Sequence, residues 1–158
     1  MRKRLFAVIT AALLAPAGPA AADEVPYPAA YRDWHHVKSM VIKPGHPLYE
    51  SFGGIHHIYA NDKAVKGYNA GRFPDGAVIV FDLLQATDAD NAVTEGPRKV
   101  VGVMHKDAKR YPRTGGWGFE GFKGDSRERA VGSNAESACF GCHAPRKEQD
   151  YVFSSLRK

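Results

Sequence analysis

Cysteine is almost missing from this 158-residue chain, which has only Cys139 and Cys142. A disulfide framework needs several cysteines spread along the sequence, so that class of small secreted fold is excluded. A long apolar run is missing from everything after Ala22, and no membrane anchor is expected there. A strong excess of one charge sign is missing too. The 22 basic and 17 acidic residues give a net charge of +5, and they are interspersed. That pattern excludes an extended polyphosphate-binding surface, so nucleic acid is not an expected partner. Lys106, Lys109, Arg110 and Arg113 form the one basic cluster, which reads as a solvated loop. There is neither an internal repeat nor a low-complexity tract, which excludes solenoids and arrays.

At the start of the chain, Arg2, Lys3 and Arg4 precede an apolar run from Leu5 to Ala15, interrupted at Pro16 and Gly18. The small residues Ala20-Ala21-Ala22 follow, completing the three-part pattern of a cleavable secretory signal over 1–22. Export to the periplasm is therefore expected, with no cysteine in the signal to carry a lipid. Removing three of the 22 basic residues against 17 acidic ones leaves the mature chain, 23–158, at +2. That length suits one domain able to bury a core.

Five segments read as strands from β-branched and aromatic content between turn-rich boundaries. They are Val37–Ile42, Gly54–Ala60, Ala77–Leu83, Lys99–His105 and Trp117–Lys123. Asp23 to Pro28 reads as a loose lead-in. Asn61 is placed to cap a short helix over Asp62 to Lys66 that ends at Gly67. Ser133 or Asn134 is placed to cap another leading into the cysteines. The polar stretch from Gln85 to Arg98, with Gly96-Pro97 inside it, reads as a long loop. Connections this short disfavour repeated βαβ crossovers. The expected fold is therefore α+β, a mainly antiparallel sheet of about five strands with short helices.

Cys139-Phe140-Gly141-Cys142-His143 is the C-x-x-C-H sequence of c-type haem attachment. Its spacing has a mechanical basis: two thiols add to the two vinyl groups of one porphyrin edge, and the next histidine then lies under the iron. Cys139 and Cys142 are thus expected to hold one haem c by thioethers, with His143 as axial iron ligand. A thioredoxin-like pair would open a helix early in a βαβ unit. A zinc site lacks a second cysteine pair, and a disulfide would close only a tiny loop. The run Gly116-Trp117-Gly118-Phe119-Glu120-Gly121 matches G-x-G-x-x-G in letters. It follows a loop and reads as strand, so it is no dinucleotide site.

The attachment motif extended to Ala144-Pro145, with Asp150-Tyr151-Val152-Phe153 after it, resembles the cytochrome P-460 and cytochrome c′-beta family. Gly53-Gly54-Ile55-His56-His57, Phe73-Pro74-Asp75-Gly76 and Gly116-Trp117-Gly118-Phe119-Glu120 carry the same resemblance, which spans Trp34 to Phe153. It implies a mainly antiparallel β fold around a single haem domain, five-coordinate iron and an open distal face. Members are often dimeric, so a homodimer is one assembly to look for. The redox partner is left open. Two activities divide the family. Cytochromes P-460 oxidise hydroxylamine and carry a lysine–porphyrin link, whereas cytochromes c′-beta bind nitric oxide or similar small ligands beneath phenylalanines.

On the distal side the residues leave alternatives. Met40 and Met104 are the candidate sixth ligands of an electron carrier, but each lies in an apolar strand pattern and is expected in the core. His56 and His57 are adjacent on a strand and must face opposite sides, one of them able to reach the pocket, with a hydrogen-bonded structural role preferred. Phe52 and Phe81 match the distal phenylalanines in relative placement, and equally suit simple core packing. Lys63 and Lys66 are the lysines in range of a cross-link, and read as a solvated helix face. Phe119 and Glu120 point to opposite faces, and no proton-transfer residue is assigned. The expected function is a ligand-binding, c′-beta-like cytochrome. The alternatives are a hydroxylamine oxidase and a six-coordinate electron carrier.

Overall fold

Turn chemistry sets the strand limits, and the strands join in sequence order. The computed structural model describes residues 24–157, so the signal-peptide expectation for 1–22 lies outside the described residues. The strands are β1 (His35–Ile42), β2 (Gly54–Ala60), β3 (Val78–Ala89), β4 (Ala92–Lys106) and β5 (Trp117–Lys123). All four neighbouring pairs are antiparallel, giving one sheet of order β1-β2-β3-β4-β5. The α+β expectation holds.

The expected loop from Gln85 to Arg98 is instead the outer half of a long hairpin. Ala86 pairs with Glu95 and Ala89 with Ala92, across a two-residue turn at Asp90 and Asn91. Both turn residues have positive φ, 54° and 61°, as a type I′ hairpin requires. Residues 85–95 are exposed on both faces, so the strand carries no apolar alternation to announce it. Gly96 and Pro97 fall where the register shifts between Leu84 and Ala86, a position that tolerates a missing N–H.

The helices α1 (Tyr49–Phe52) and α2 (Asp62–Ala70) accompany the sheet. Asn61 caps α2 as expected, its side chain accepting from the Ala64 N–H at 2.9 Å. The helix runs past Gly67 to a left-handed cap at Gly71. Gly67 is there for packing: a Cβ would stand 2.4 Å from the Phe73 ring.

Alternation along the strands gives the sheet two buried faces. The first carries Ile58, Ile79 and Phe119, with Phe81 and Met104 partly buried beside them, and packs against α2 and the C-terminal segment. The second carries Val80, Val101, Val103 and Phe122 and packs against the N-terminal strap. Val25 and Pro28 in that strap are buried, so the described part of the expected loose lead-in is a packed layer. The Tyr31 hydroxyl fastens it, donating to the buried Asp82 carboxylate at 2.8 Å.

Two residues depart from expectation within this frame. Met40 is 47% exposed, because its β1 position lies at the sheet's edge. Lys106 is buried and its Nζ pairs with Asp150 at 2.7 Å, which removes it from the solvated cluster. Lys109 and Arg113 are exposed, as expected.

Candidate functional site

The C-terminal segment lies over the first face as a chain of short helical turns. A π-helical turn over Glu136–Phe140 leads into Gly141–His143 and then the 3-10 turn Ala144–Gln149. The N-cap position of the cysteine-bearing turn is Ala135, with no side-chain cap, rather than Asn134. Cys139 is half-buried against the first-face core together with Phe140, and Cys142 is exposed. Neither is in a disulfide among the described residues. Burial raises the Cys139 pKa, and the charges of Glu120 and Cys142 add to the rise.

His143 is held more closely than its neighbours. Its Nδ1 donates to the Tyr151 carbonyl oxygen at 2.7 Å. The ring lies 5.1 Å from that of Phe119 and 4.9 Å, edge to face, from that of Phe153. Burial lowers the His143 pKa, against a smaller rise from the Tyr151 carbonyl, so the imidazole is neutral near pH 7. With Nδ1–H committed, Nε2 keeps its lone pair and makes no hydrogen bond among the described residues. Metal-ligating histidines have the same provision, the other ring N–H being held by an acceptor.

The Tyr151 carbonyl is itself positioned from below. Asp150 and Tyr151 have φ of 50° and 66°, a reversal that brings the chain back under His143. Asp150 is locked by three contacts from different elements. Its Oδ1 accepts from Lys106 Nζ at 2.7 Å and its Oδ2 from the Phe73 N–H at 2.8 Å. Its backbone oxygen accepts from Trp117 Nε1, also at 2.8 Å. Gly115 admits the Tyr151 ring, since a Cβ there would stand 2.0 Å from it. Sequence reasoning missed Lys106 and Asp150. The available signal was a lysine in a strand pattern where a solvated residue breaks the apolar run.

Further along the first face, α1 ends at Phe52, whose ring meets Phe81 edge to face at 5.7 Å. The His56 ring lies 4.6 Å from Phe81 at a 35° tilt. His56 is 6% exposed, and its Nδ1 is buried without a partner. Burial, and then the neighbouring His57, push its pKa down to about 4. His57 takes the opposite face, as expected. It is the structural histidine, bonded to Ser39 Oγ and Glu95 Oε1, each at 2.6 Å.

Other candidates are engaged elsewhere. Lys63 and Lys66 are exposed on α2, and Lys63 Nζ donates to the Asp75 carbonyl. Lys38, which sequence reasoning passed over, shares the first face through its pairing with Ile58, and its Nζ donates to Ser155 Oγ at 2.9 Å. Phe119 and Glu120 are both buried. Burial works to raise the Glu120 pKa, but Arg129 and the N–H groups of Gly121, Gly132 and Val131 hold it below the ordinary range. That carboxylate fastens the β5 edge to the segment at 131–132.

These residues fit a haem. A thiol pair three positions apart adjoins an oriented imidazole with a free nitrogen. On the same face Met40 and Phe52 are large apolar side chains left exposed, and Phe153 stands exposed against His143. Gly102 leaves a hollow beside Phe81 that a Cβ would fill, 3.4 Å from the Phe81 Cβ. The cytochrome P460 family model matches residues 28–154. The chain belongs to the cytochrome P460 family. Family membership makes it a haem-binding cytochrome, consistent with the donor set at 139–143. No individual curated protein matches the chain.

Proposed function

We propose that this cytochrome is a periplasmic monohaem c-type protein that binds nitric oxide or a similar small uncharged ligand on an open distal face. Cys139 and Cys142 would hold the haem by thioethers, and Nε2 of His143 would ligate its iron. The bound iron would supply the coordination position for that ligand. The chain's own residues orient the imidazole through the Tyr151 carbonyl and line the opposite side with Phe52 and Phe81. The mature protein begins at Asp23 after removal of the signal peptide.

The edge-to-face Phe52–Phe81 pair, on the face that also receives His143, carries this reading. Two phenylalanine rings offer contact and no ligating atom, so they would restrict the size of a ligand that binds beneath them. The electron-carrier reading needs a methionine or a histidine as sixth ligand, and the spectra below read out either. Met104 is instead paired between Ile79 and Phe119 and packed on the core. The hydroxylamine-oxidase reading needs a lysine at the ring edge. Lys63 and Lys66 face solvent, which leaves Lys38 as the first-face lysine to examine.

Optical spectra test the proposal directly. The ferrous protein is expected to be high-spin and to convert fully on adding carbon monoxide. A low-spin ferrous spectrum unchanged by carbon monoxide would return the protein to the electron carriers. In a denaturing gel stained for haem peroxidase activity, the wild-type band is expected to keep its haem. The Cys139→Ala/Cys142→Ala variant is expected to lose it, and retention there would sink the covalent assignment.

A further inference from the structure

Among the described residues, three buried side-chain nitrogens have no hydrogen-bond partner: His56 Nδ1, His105 Nδ1 and Arg146 Nε. Leaving such an atom bare is costly, and native proteins rarely tolerate it without a reason. The other two have evident surroundings. His105 lines an apolar cleft with Trp34 and Val103 on the second face, and the Arg146 guanidinium stacks on Phe153 at 5.3 Å. His56 stands on the first face, its strand neighbours Met40 and Leu83 both apolar.

We propose that His56 is the polar contact of the ligand pocket: its unpartnered Nδ1, held beside Phe81, hydrogen-bonds a small ligand bound on the distal side. The inference rests on the haem reading above and deepens it. Two observations carry it independently of any titration. The imidazole is more than nine-tenths buried, and its ring contact is with the same phenylalanine that Phe52 meets edge-on. A neutral imidazole has one N–H donor and one acceptor nitrogen, so it can donate to the terminal oxygen of a diatomic ligand without placing a charge in the pocket. Stacking on Phe81 holds the ring where it is. The pocket then combines a steric limit, set by Phe52 and Phe81, with one directional polar contact. Such a pocket favours ligands whose outer atom accepts a hydrogen bond.

Carbon monoxide bound to the ferrous holoprotein reports this contact through its C–O stretching band. Donation to the oxygen lowers the stretch, so His56→Leu is expected to move the band to higher wavenumber. A hydrogen bond of about 1 kcal/mol corresponds to carbon monoxide leaving about five-fold faster in that variant. His56→Gln keeps a donor and is expected to stay near the wild-type band, which separates a lost hydrogen bond from a disturbed fold. A carbon monoxide complex whose band is the same in wild type and His56→Leu overturns this inference and leaves the functional reading standing. A wild-type protein that forms no carbon monoxide complex overturns both. So does low-spin ferrous iron that becomes high-spin in His56→Leu, which would make His56 an iron ligand.

Discussion

Two imidazoles on one face of the sheet have opposite provisions. His143 has its Nδ1 committed to a backbone carbonyl, and His56 has its Nδ1 committed to nothing. Burial makes both neutral near pH 7, but only His56 is pushed as far as about 4. The sign of the resulting linkage is fixed. The unfolded chain takes up the proton near pH 6.5, whereas the folded chain resists it until about 4. Stability is therefore full above pH 7 and falls as pH drops through that window, by up to about 3 kcal/mol. Denaturant titrations of wild type and His56→Leu at pH 7 and pH 4 check this. The wild type is expected to lose more stability between the two pH values, by roughly that amount. Equal losses would mean that His56 titrates normally in the folded protein.

Elements explain why some of this was legible in the sequence and some was not. β2 and β5 match their expected ranges because Gly54–Ala60 and Trp117–Lys123 combine β-branched or aromatic residues with clear turns at both ends. The hairpin beyond Gln85 was invisible for a physical reason: a strand solvated on both faces has no apolar period. The C-x-x-C-H spacing was legible because the chemistry is local. The Lys106–Asp150 pair was not, since it joins β4 to a turn 44 residues away. That pair is a positioning device, fixing the residue next to the carbonyl that orients His143. Asp150→Ala would leave the Lys106 ammonium buried without its counter-charge, hydrogen-bonded only to the Gly115 carbonyl, at a cost of about 3–5 kcal/mol. The double variant Asp150→Ala/Lys106→Met removes the stranded charge and is expected to recover much of that loss in a denaturant titration. Recovery of stability with a still-altered ferrous spectrum would show the pair acting on His143. A spectrum as in wild type would leave it a purely structural clamp.

At the scale of the whole molecule, one sheet separates two layers with different tasks. The N-terminal strap covers the second face through Val25, Tyr31 and the Asp82 carboxylate, which also takes the Arg98 guanidinium at 2.6 Å. The C-terminal segment brings the thiols and His143 to the first face, beside Phe119. The strap and the proposed ligand pocket thereby lie on opposite sides of the same strands: Asp82 and Phe81 are neighbours in β3 that point apart. Substitutions on the two faces should then have separable effects. Tyr31→Phe removes a hydrogen bond to a buried carboxylate and is expected to cost about 1.5–3 kcal/mol, with spectrum and ligand kinetics unchanged. Phe81→Ala opens the space under Phe52 and is expected to speed carbon monoxide entry and exit, its effect on stability limited by the partial exposure of that ring. The double variant is expected to show the two effects added, since the altered groups share no partner. Ligand kinetics that shift in Tyr31→Phe alone would mean that the strap shapes the distal pocket through the sheet.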